Sequence, residues 1–265
     1  MSETSRPAAP SVGPTPPAGG AAHRFWQQKA ARYPQPTDPA VQAKAQKLRE
    51  LAVQCGARLA VPRVLDLGAG SGVHAVALAE QAEEVVALDF SPSMLAPLAA
   101  LDLPRVQVVT ADWTQVNLAE RGWQKHFDLV WTAMTPLAGH PDSIARMEAA
   151  CRGQCCAITW GARRADPIVE TAFAMHGLVF KPPAWSDALE SYLAGRPAQR
   201  ASLDEVTESR WPVPALVEDL ATHLEWLGAQ PDRAALTRWA QGLAQDGEVV
   251  RRREATLDCW VWTAA

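Results

Sequence analysis

Apolar residues along the chain follow two periods, and the changes from one to the other outline its elements. Val64, Leu65 and Leu67, then Val106–Val109, Phe127–Trp131 and Cys156–Trp160, form short runs with the length and branching of buried strands. Between them the spacing turns helical. Val73, Val76, Ala77 and Ala79 predict a helix behind the first strand, and Val41, Ala45, Leu48, Leu51, Ala52 and Cys55 predict one over 40–55 that stops at Gly56. Ser91-Pro92 should cap a helix through Met94, Leu95 and Leu98, kinked or ended early by Pro97. A further helix, Asp142–Ala150, follows Pro141. Strand and helix in alternation predict a doubly wound, open α/β sheet.

Residues 165–245 differ in character. They read as mostly helical, with Met175, His176, Phe180, Trp185 and Tyr192 adding an aromatic tint. Ser202–Trp211 fits an edge strand, Pro214–Leu227 and Asp232–Ala244 fit helices, and Glu248–Thr263 alternates like a strand closing the sheet. At the other end, residues 1–22 are Pro, Ala, Gly and Ser without apolar period and are expected to be disordered. The next stretch, HRFWQQKAARYP, is amphipathic and brings Phe25, Trp26, Ala30 and Tyr33 together.

Composition narrows the function classes. A chain of 265 residues suits one domain, or one with an elaboration. Net charge −4 and a pI near 5.9 leave no basic footprint for nucleic acid. The N-terminus lacks a secretory apolar core, and no run is long enough to cross a bilayer. Five cysteines without a disulfide framework fit a reducing, cytoplasmic setting. Cys151, Cys155 and Cys156 contain soft ligands for a metal. They sit at the start of a central strand and lack a Cys-x-x-Cys pair, so packing is the expected role and no metal site is predicted.

The chemistry concentrates in Arg63–Asp89, a strand, a glycine turn, a helix and a second strand ending on a carboxylate. Ligands of open parallel sheets bind outside the carboxyl ends of the strands. Counting from Gly68, the third small position of a dinucleotide fingerprint falls on Val73, and no lysine is present for a phosphate-binding loop. Instead Asp66 precedes the glycines and Asp89 ends the second strand. A carboxylate at the second place can accept both ribose hydroxyls, and one at the first can meet a cationic amino-acid group. The expected ligand is a nucleoside carrying positive charge.

VLDLGAGSG followed by VVALDFSPSML resembles motif I and the acidic ribose loop of the class I S-adenosylmethionine-dependent methyltransferases. VQVVTADWTQVN is similar to that family's third strand and adenine-flanking turn, and FDLVWTAMTPLA to its fourth strand and methyl-facing loop. The resemblance implies a Rossmann-like, seven-stranded, mostly parallel sheet over 23–265. It also implies an N-terminal helix or lid over 23–60 (the alternative being a cap on the sheet edge) and a substrate-side helical insert over 163–245. S-adenosylmethionine is the implied cofactor. Asp66, Gly68, Gly70 and Ser71 would line its methionine end, with Thr132 close by. Asp89 would take the ribose, flanked by Phe90 and Met94, and Asp112 would reach the adenine. Trp113 would lie against that ring or pack in the core.

Trp26, Tyr33, Met134 and His176 are candidates for the acceptor pocket. His140, just past the Met-Thr-Pro loop, is the candidate general base because an imidazole titrates near neutrality. His74 either lines the methionine end or sits on a helix surface. Thr132–Pro136 lacks the Asn/Asp-Pro-Pro-aromatic pattern of methyltransferases acting on nucleobase or amide nitrogens, which favours a small-molecule acceptor. Two other readings stand beside this one: a cofactor-binding regulatory or assembly protein without methyl transfer, and, more remotely, a nicotinamide oxidoreductase. Monomer and homodimer are both compatible with the sequence.

Overall fold

The computed structural model describes residues 20–31, 33–181 and 185–265. In chain order its elements are α1 (Gly20–Ala30), α2 (Pro39–Gln54), β1 (Arg63–Leu67), α3 (Val73–Leu78), β2 (Glu84–Asp89), α4 (Pro92–Ala99) and β3 (Val106–Thr110). A 3-10 turn at Trp113–Gln115 precedes β4 (Phe127–Ala133), and another at Pro136–Gly139 precedes α5 (Pro141–Ala150). The rest comprises β5 (Cys151–Ala165), α6 (Pro167–Met175), α7 (Trp185–Leu193), β6 (Ala198–Pro212), α8 (Val213–Trp226), α9 (Arg233–Leu243) and β7 (Glu248–Thr263).

The seven strands form one mixed, mostly parallel sheet in the order β3-β2-β1-β4-β5-β7-β6. β1 pairs in parallel with β2 on one side and β4 on the other, Asp66 opposite Ala87 and Trp131. β5 adds in parallel to β4. Because the strand order reverses between β1 and β4, the carboxyl ends of β1, β2 and β4 open on a topological switch point.

The chain divides into two compact units. One contains the described residues up to 162 together with 184–205 and 256–265. It has two apolar layers. Leu65, Leu67, Phe127, Val130, Ile144 and Met147 belong to one, and Val64, Ala75, Leu78, Trp131, Ile158 and Val261 to the other. Two polar anchors lie within this unit. Glu148 of α5 accepts from Tyr192 Oη at 3.0 Å, from Trp262 Nε1 at 2.7 Å and from Arg196. Asp258 of β7, fully enclosed, accepts from Ser186 Oγ and Ser202 Oγ at 2.6 Å and from Arg200 at 2.8 Å. Both anchors pin α7. The other unit contains 163–183 and 206–255, with a core of Phe173, Leu216, Leu220, Leu224 and Leu236. Arg251 is its buried polar centre, bonded to Asp166 and Asp219.

Several expectations change. Residues 1–19 of the expected disordered tail lie outside the described residues, but Gly20–Ala22 open α1. Pro97 does not end α4, which runs on to Ala99. β5 starts at Cys151, five residues earlier than its apolar run suggests, because Arg152–Gln154 are polar positions at the strand's start. The expected insert at 163–245 is not one body: residues 184–205 belong with the sheet-bearing unit, and the other unit reaches to 255. Alternation in β7 fails from Leu257 to Trp262, six successive buried residues. That half lies between β5 and β6 with both faces covered, which removes any need for a polar face.

Candidate active site

The site is built where β1 and β2 end. Leu67 leads into a turn whose Gly68 and Gly70 have φ of 71° and 56°, open to glycine with little strain. Here the missing side chains are also steric requirements. A Cβ on Gly68 would come within 2.6 Å of Thr135 Cγ2, and one on Gly70 within 3.3 Å of Met94 Cε and 3.5 Å of Tyr33 Cε1. The N–H groups of Gly68 and Ala69 both donate to Leu88 O, at 2.8 and 3.0 Å, which ties the turn to β2.

Two carboxylates share this turn. Asp89 is 8% exposed. Its Oδ2 accepts the N–H of Gly70 at 3.0 Å and its Oδ1 that of Ser91 at 2.9 Å. Burial raises its pKa against the pull of those donors. Asp66 is 2% exposed, accepts the N–H of Ala75, and has no partner for Oδ2. Burial first, and Asp89 second, raise it to about 7. Two crowded acids, one with an unpaired oxygen, form a place where a cation is stabilised. Beneath them, burial and then Arg49 press the His74 imidazole down to about 3, so it stays neutral. Its ring packs on Trp131, centroids 5.1 Å apart. His74 is therefore wedged between helix and sheet, and its Nδ1 is enclosed.

These two shifts act on stability with opposite signs. A carboxyl raised in the folded state stabilises at low pH, and that stability is lost as pH climbs from the ordinary carboxylate range to about 7. An imidazole depressed to about 3 stabilises above its ordinary range, and that stability is lost as pH falls toward 3. Between roughly pH 4 and 6.5 they oppose one another. Asp66→Asn should therefore steepen the rise in stability across this window, and His74→Phe should turn it into a fall. Urea unfolding at a series of pH values reads both slopes, and parallel curves for all three proteins would refute the assignment.

The segment after α1 lies over the turn. Ser71 Oγ donates to Pro34 O at 2.7 Å, and Gln42 Nε2 donates to Pro36 O at 2.6 Å and to Val73 O at 2.8 Å. Tyr33 meets Trp26 edge-on at 6.3 Å, and its hydroxyl is pushed up by burial and by the Asp89 charge. α1 packs against α4. Trp26 and Tyr33 thus stand on the glycine-turn side, beside Met94. Phe90 is partly buried at the end of β2. Asp112 is exposed, one oxygen accepting from the Thr114 N–H at 2.9 Å and from Thr114 Oγ1 at 2.8 Å.

At the end of β4, Met134 adopts φ of 59°, a left-handed conformation rare for a long side chain. Its N–H donates to Ile158 O at 2.7 Å. Such strain is held in place by surrounding contacts and concentrates at functional loops. Thr135 then caps the 3-10 turn, accepting the Leu137 N–H at 3.1 Å. Trp185 of α7 covers that turn so closely that a Cβ on Gly139 would lie 2.3 Å from its Cδ1. His140 follows, exposed, at the N-cap position of α5 without bonding any helix N–H through its side chain.

Three of the candidates have partners within the fold. Trp113 is 1% exposed, its indole donating to Ser143 O at 3.4 Å under the Arg146 guanidinium, so the ring belongs to the core and offers no face for stacking. Thr132 is fully buried and spends its hydroxyl on Leu67 O at 2.9 Å, tying β4 to β1. His176 belongs to the unit of 163–183 and 206–255. There its Nδ1 lies 2.7 Å from Ala172 O and its Nε2 accepts the Asp232 N–H at 2.9 Å, so it fastens α6 to the start of α9.

The cysteine trio is split by the alternation of β5. Cys151 and Cys155 enter one apolar layer, and Cys156 enters the other, where its Sγ lies 3.9 Å from that of Cys259. Among the described residues no His, Cys, Asp and Glu side chains group to hold a metal ion. Sequence reasoning missed Thr135 and Arg49. Neither carries a motif; Thr135 becomes visible through its closeness to Gly68, and Arg49 through its charge acting on His74.

Residues 64–153 match the methyltransferase-domain family. No curated protein matches the chain in sequence. Among solved structures it is similar to a protein from Bacillus halodurans C-125 assigned as a methyltransferase, at 15% identity and a TM-score of 0.51. That match covers 82% of this chain and 98% of the other. It is also similar to a protein from Anaeromyxobacter dehalogenans assigned as a type II methyltransferase, at 23% identity and a TM-score of 0.50, covering 84% and 96%. With the sheet order, the glycine turn and its two acids, these matches give residues 64–153 a methyltransferase domain and the chain the fold of those structures.

Proposed function

We propose that the enzyme methylates a small-molecule acceptor seated beyond the carboxyl end of β4. The observation carrying this reading is the loop from Met134 to Gly139. It faces the glycine turn through Thr135 and is walled by Trp185, and it contains no acid or amide to hold a nucleobase or peptide nitrogen. An apolar or planar acceptor suits such walls. The cofactor supplies an electrophilic methyl group on a sulfonium centre.

The residues of this chain fit that cofactor. Gly68 leaves backbone bare where a side chain would collide with Thr135, Gly70 does so where one would crowd Met94, and the Asp66 carboxylate offers a buried acceptor to the ammonium group. Ser71 would line the methionine end, Asp89 would hold the ribose hydroxyls with Phe90 and Met94 alongside, and Asp112 would meet the adenine amino group. Trp26 and Tyr33 would close over the turn as a lid, excluding water. The protein's main contribution is then alignment of acceptor, methyl and leaving group, which in well-oriented systems lowers barriers by several kcal/mol.

His140 would act as base only for an acceptor that arrives protonated. For such an acceptor, His140→Ala should lower kcat by about 10²-fold and flatten the acid limb of the pH–rate profile. An unaltered profile removes His140 from the reaction. The broader reading is tested with methyl-labelled cofactor offered to pooled small molecules, to RNA and to protein. Label is expected in the small-molecule fraction, and label in either macromolecule would overturn it.

A further inference from the structure

Beneath the glycine turn, the buried polar atoms without a hydrogen-bond partner among the described residues include Asp66 Oδ2, Trp131 Nε1 and His74 Nδ1, with Arg49 Nη1 another such atom on the guanidinium whose charge acts on His74. The first three belong to one neighbourhood. Asp66 and Trp131 are register partners on β1 and β4, so their side chains leave the same face of the sheet side by side. The Asp66 carboxylate accepts the N–H of Ala75, the residue after His74, and the His74 ring lies on the Trp131 indole. An acceptor, an obligate donor and a nitrogen able to play either part therefore crowd one enclosed spot. Buried polar groups are ordinarily satisfied by protein or by ordered water, and a buried water typically makes about three hydrogen bonds.

We propose that a single bound water joins Asp66 Oδ2, Trp131 Nε1–H and His74 Nδ1, and that Trp131 and His74 are positioning residues that keep the Asp66 carboxylate ionised and aimed at the ligand's ammonium group. The inference rests on the cofactor assignment above. The hydrogen count closes. The water accepts from the indole N–H, donates one hydrogen to the carboxylate, and donates the other to Nδ1 of a neutral imidazole. The charged and titratable groups around Asp66 set the need for such a device. Asp89 at the end of β2 repels its negative charge, and Tyr33 above Gly70 brings a hydroxyl but no cation. Burial first, and the charge of Arg49 of α2 second, keep the His74 imidazole uncharged, and Glu80 and Glu50 act in turn on that guanidinium. Among the described residues no cationic side chain offsets the burial of Asp66, so hydrogen bonds are left to favour its anion until the ligand arrives.

The test compares two ligands that share a nucleoside and differ at the end Asp66 would hold. S-adenosylhomocysteine carries the ammonium group, and 5′-methylthioadenosine lacks the whole amino-acid end. By calorimetry, Trp131→Phe and His74→Phe should each weaken S-adenosylhomocysteine about tenfold at pH 7 and move the midpoint of its pH dependence upward. Affinity for 5′-methylthioadenosine should stay at the wild-type value. Equal weakening of both ligands would make the two residues mere packing and overturn the inference, as would unchanged binding of S-adenosylhomocysteine. If Trp131→Phe does not fold, His74→Phe and His74→Leu decide the question. Wild-type protein that binds neither compound would overturn the cofactor assignment itself, whereas wild-type binding with indifferent variants overturns this inference alone.

Discussion

Asp89→Ala is expected to weaken S-adenosylmethionine binding by ~1–3 kcal/mol through the lost ribose contact alone. Its second effect falls on the turn. Asp89 is the acceptor for the N–H of Gly70 and of Ser91, and both donors would be left enclosed by its removal. The Gly70 bond joins the turn to the end of β2, so the variant should also lower the melting temperature of the ligand-free protein. Asp89→Asn separates the two effects. An amide oxygen can still accept one N–H, which should restore much of the stability, while ribose affinity stays low. Titration calorimetry beside thermal melts reads both quantities. Wild-type affinity in Asp89→Ala would remove this carboxylate from the cofactor site.

Arg251→Met should have the largest effect on stability. Arg251 is 5% exposed and bonded to Asp166 through Nε at 3.0 Å and Nη2 at 2.6 Å, and to Asp219 through Nη1 at 3.1 Å. Its planar fork meets Asp166 with two donors, a geometry lysine does not reproduce. Taking out the cation leaves the buried Asp166 carboxylate without its partner, and breaking a buried pair in this way costs about 3–5 kcal/mol. Because all three groups lie in the unit of 163–183 and 206–255, the loss should be read there, as increased amide exchange in α6 and α8. The triple replacement of Arg251, Asp166 and Asp219 by apolar residues should recover most of the stability, since the cost comes from unpaired charge. Exchange in Arg251→Met equal to wild type would refute the role.

The sheet was legible because its strands announce themselves. β1, β2 and β4 each carry a short buried apolar run, β1 ending at the glycine turn and β2 on a carboxylate, and a strand covered on both faces has little freedom to read otherwise. The glycine turn was equally plain, since Gly68 and Gly70 answer to a backbone demand that belongs to the sequence itself. What escaped depends on contacts distant along the chain. Nothing in Trp113 distinguishes a stacking face from a core ring. The difference lies in Ser143 and Arg146, thirty residues on. Thr132 sits at the expected strand end, yet which way its hydroxyl turns is decided by Leu67 O. His176 reads as an aromatic pocket residue until the Asp232 N–H is found on its ring. The 151–154 start of β5 was hidden because polar side chains there mask a strand defined by its backbone pairing with β4.

All five cysteines are free and enclosed, and all of them belong to the sheet-bearing unit. A colorimetric thiol reagent should therefore find the folded chain silent, and its colour would clock the opening of that unit while remaining blind to events in the other. That chemical clock would time one unit of the molecule in a cuvette with no label introduced.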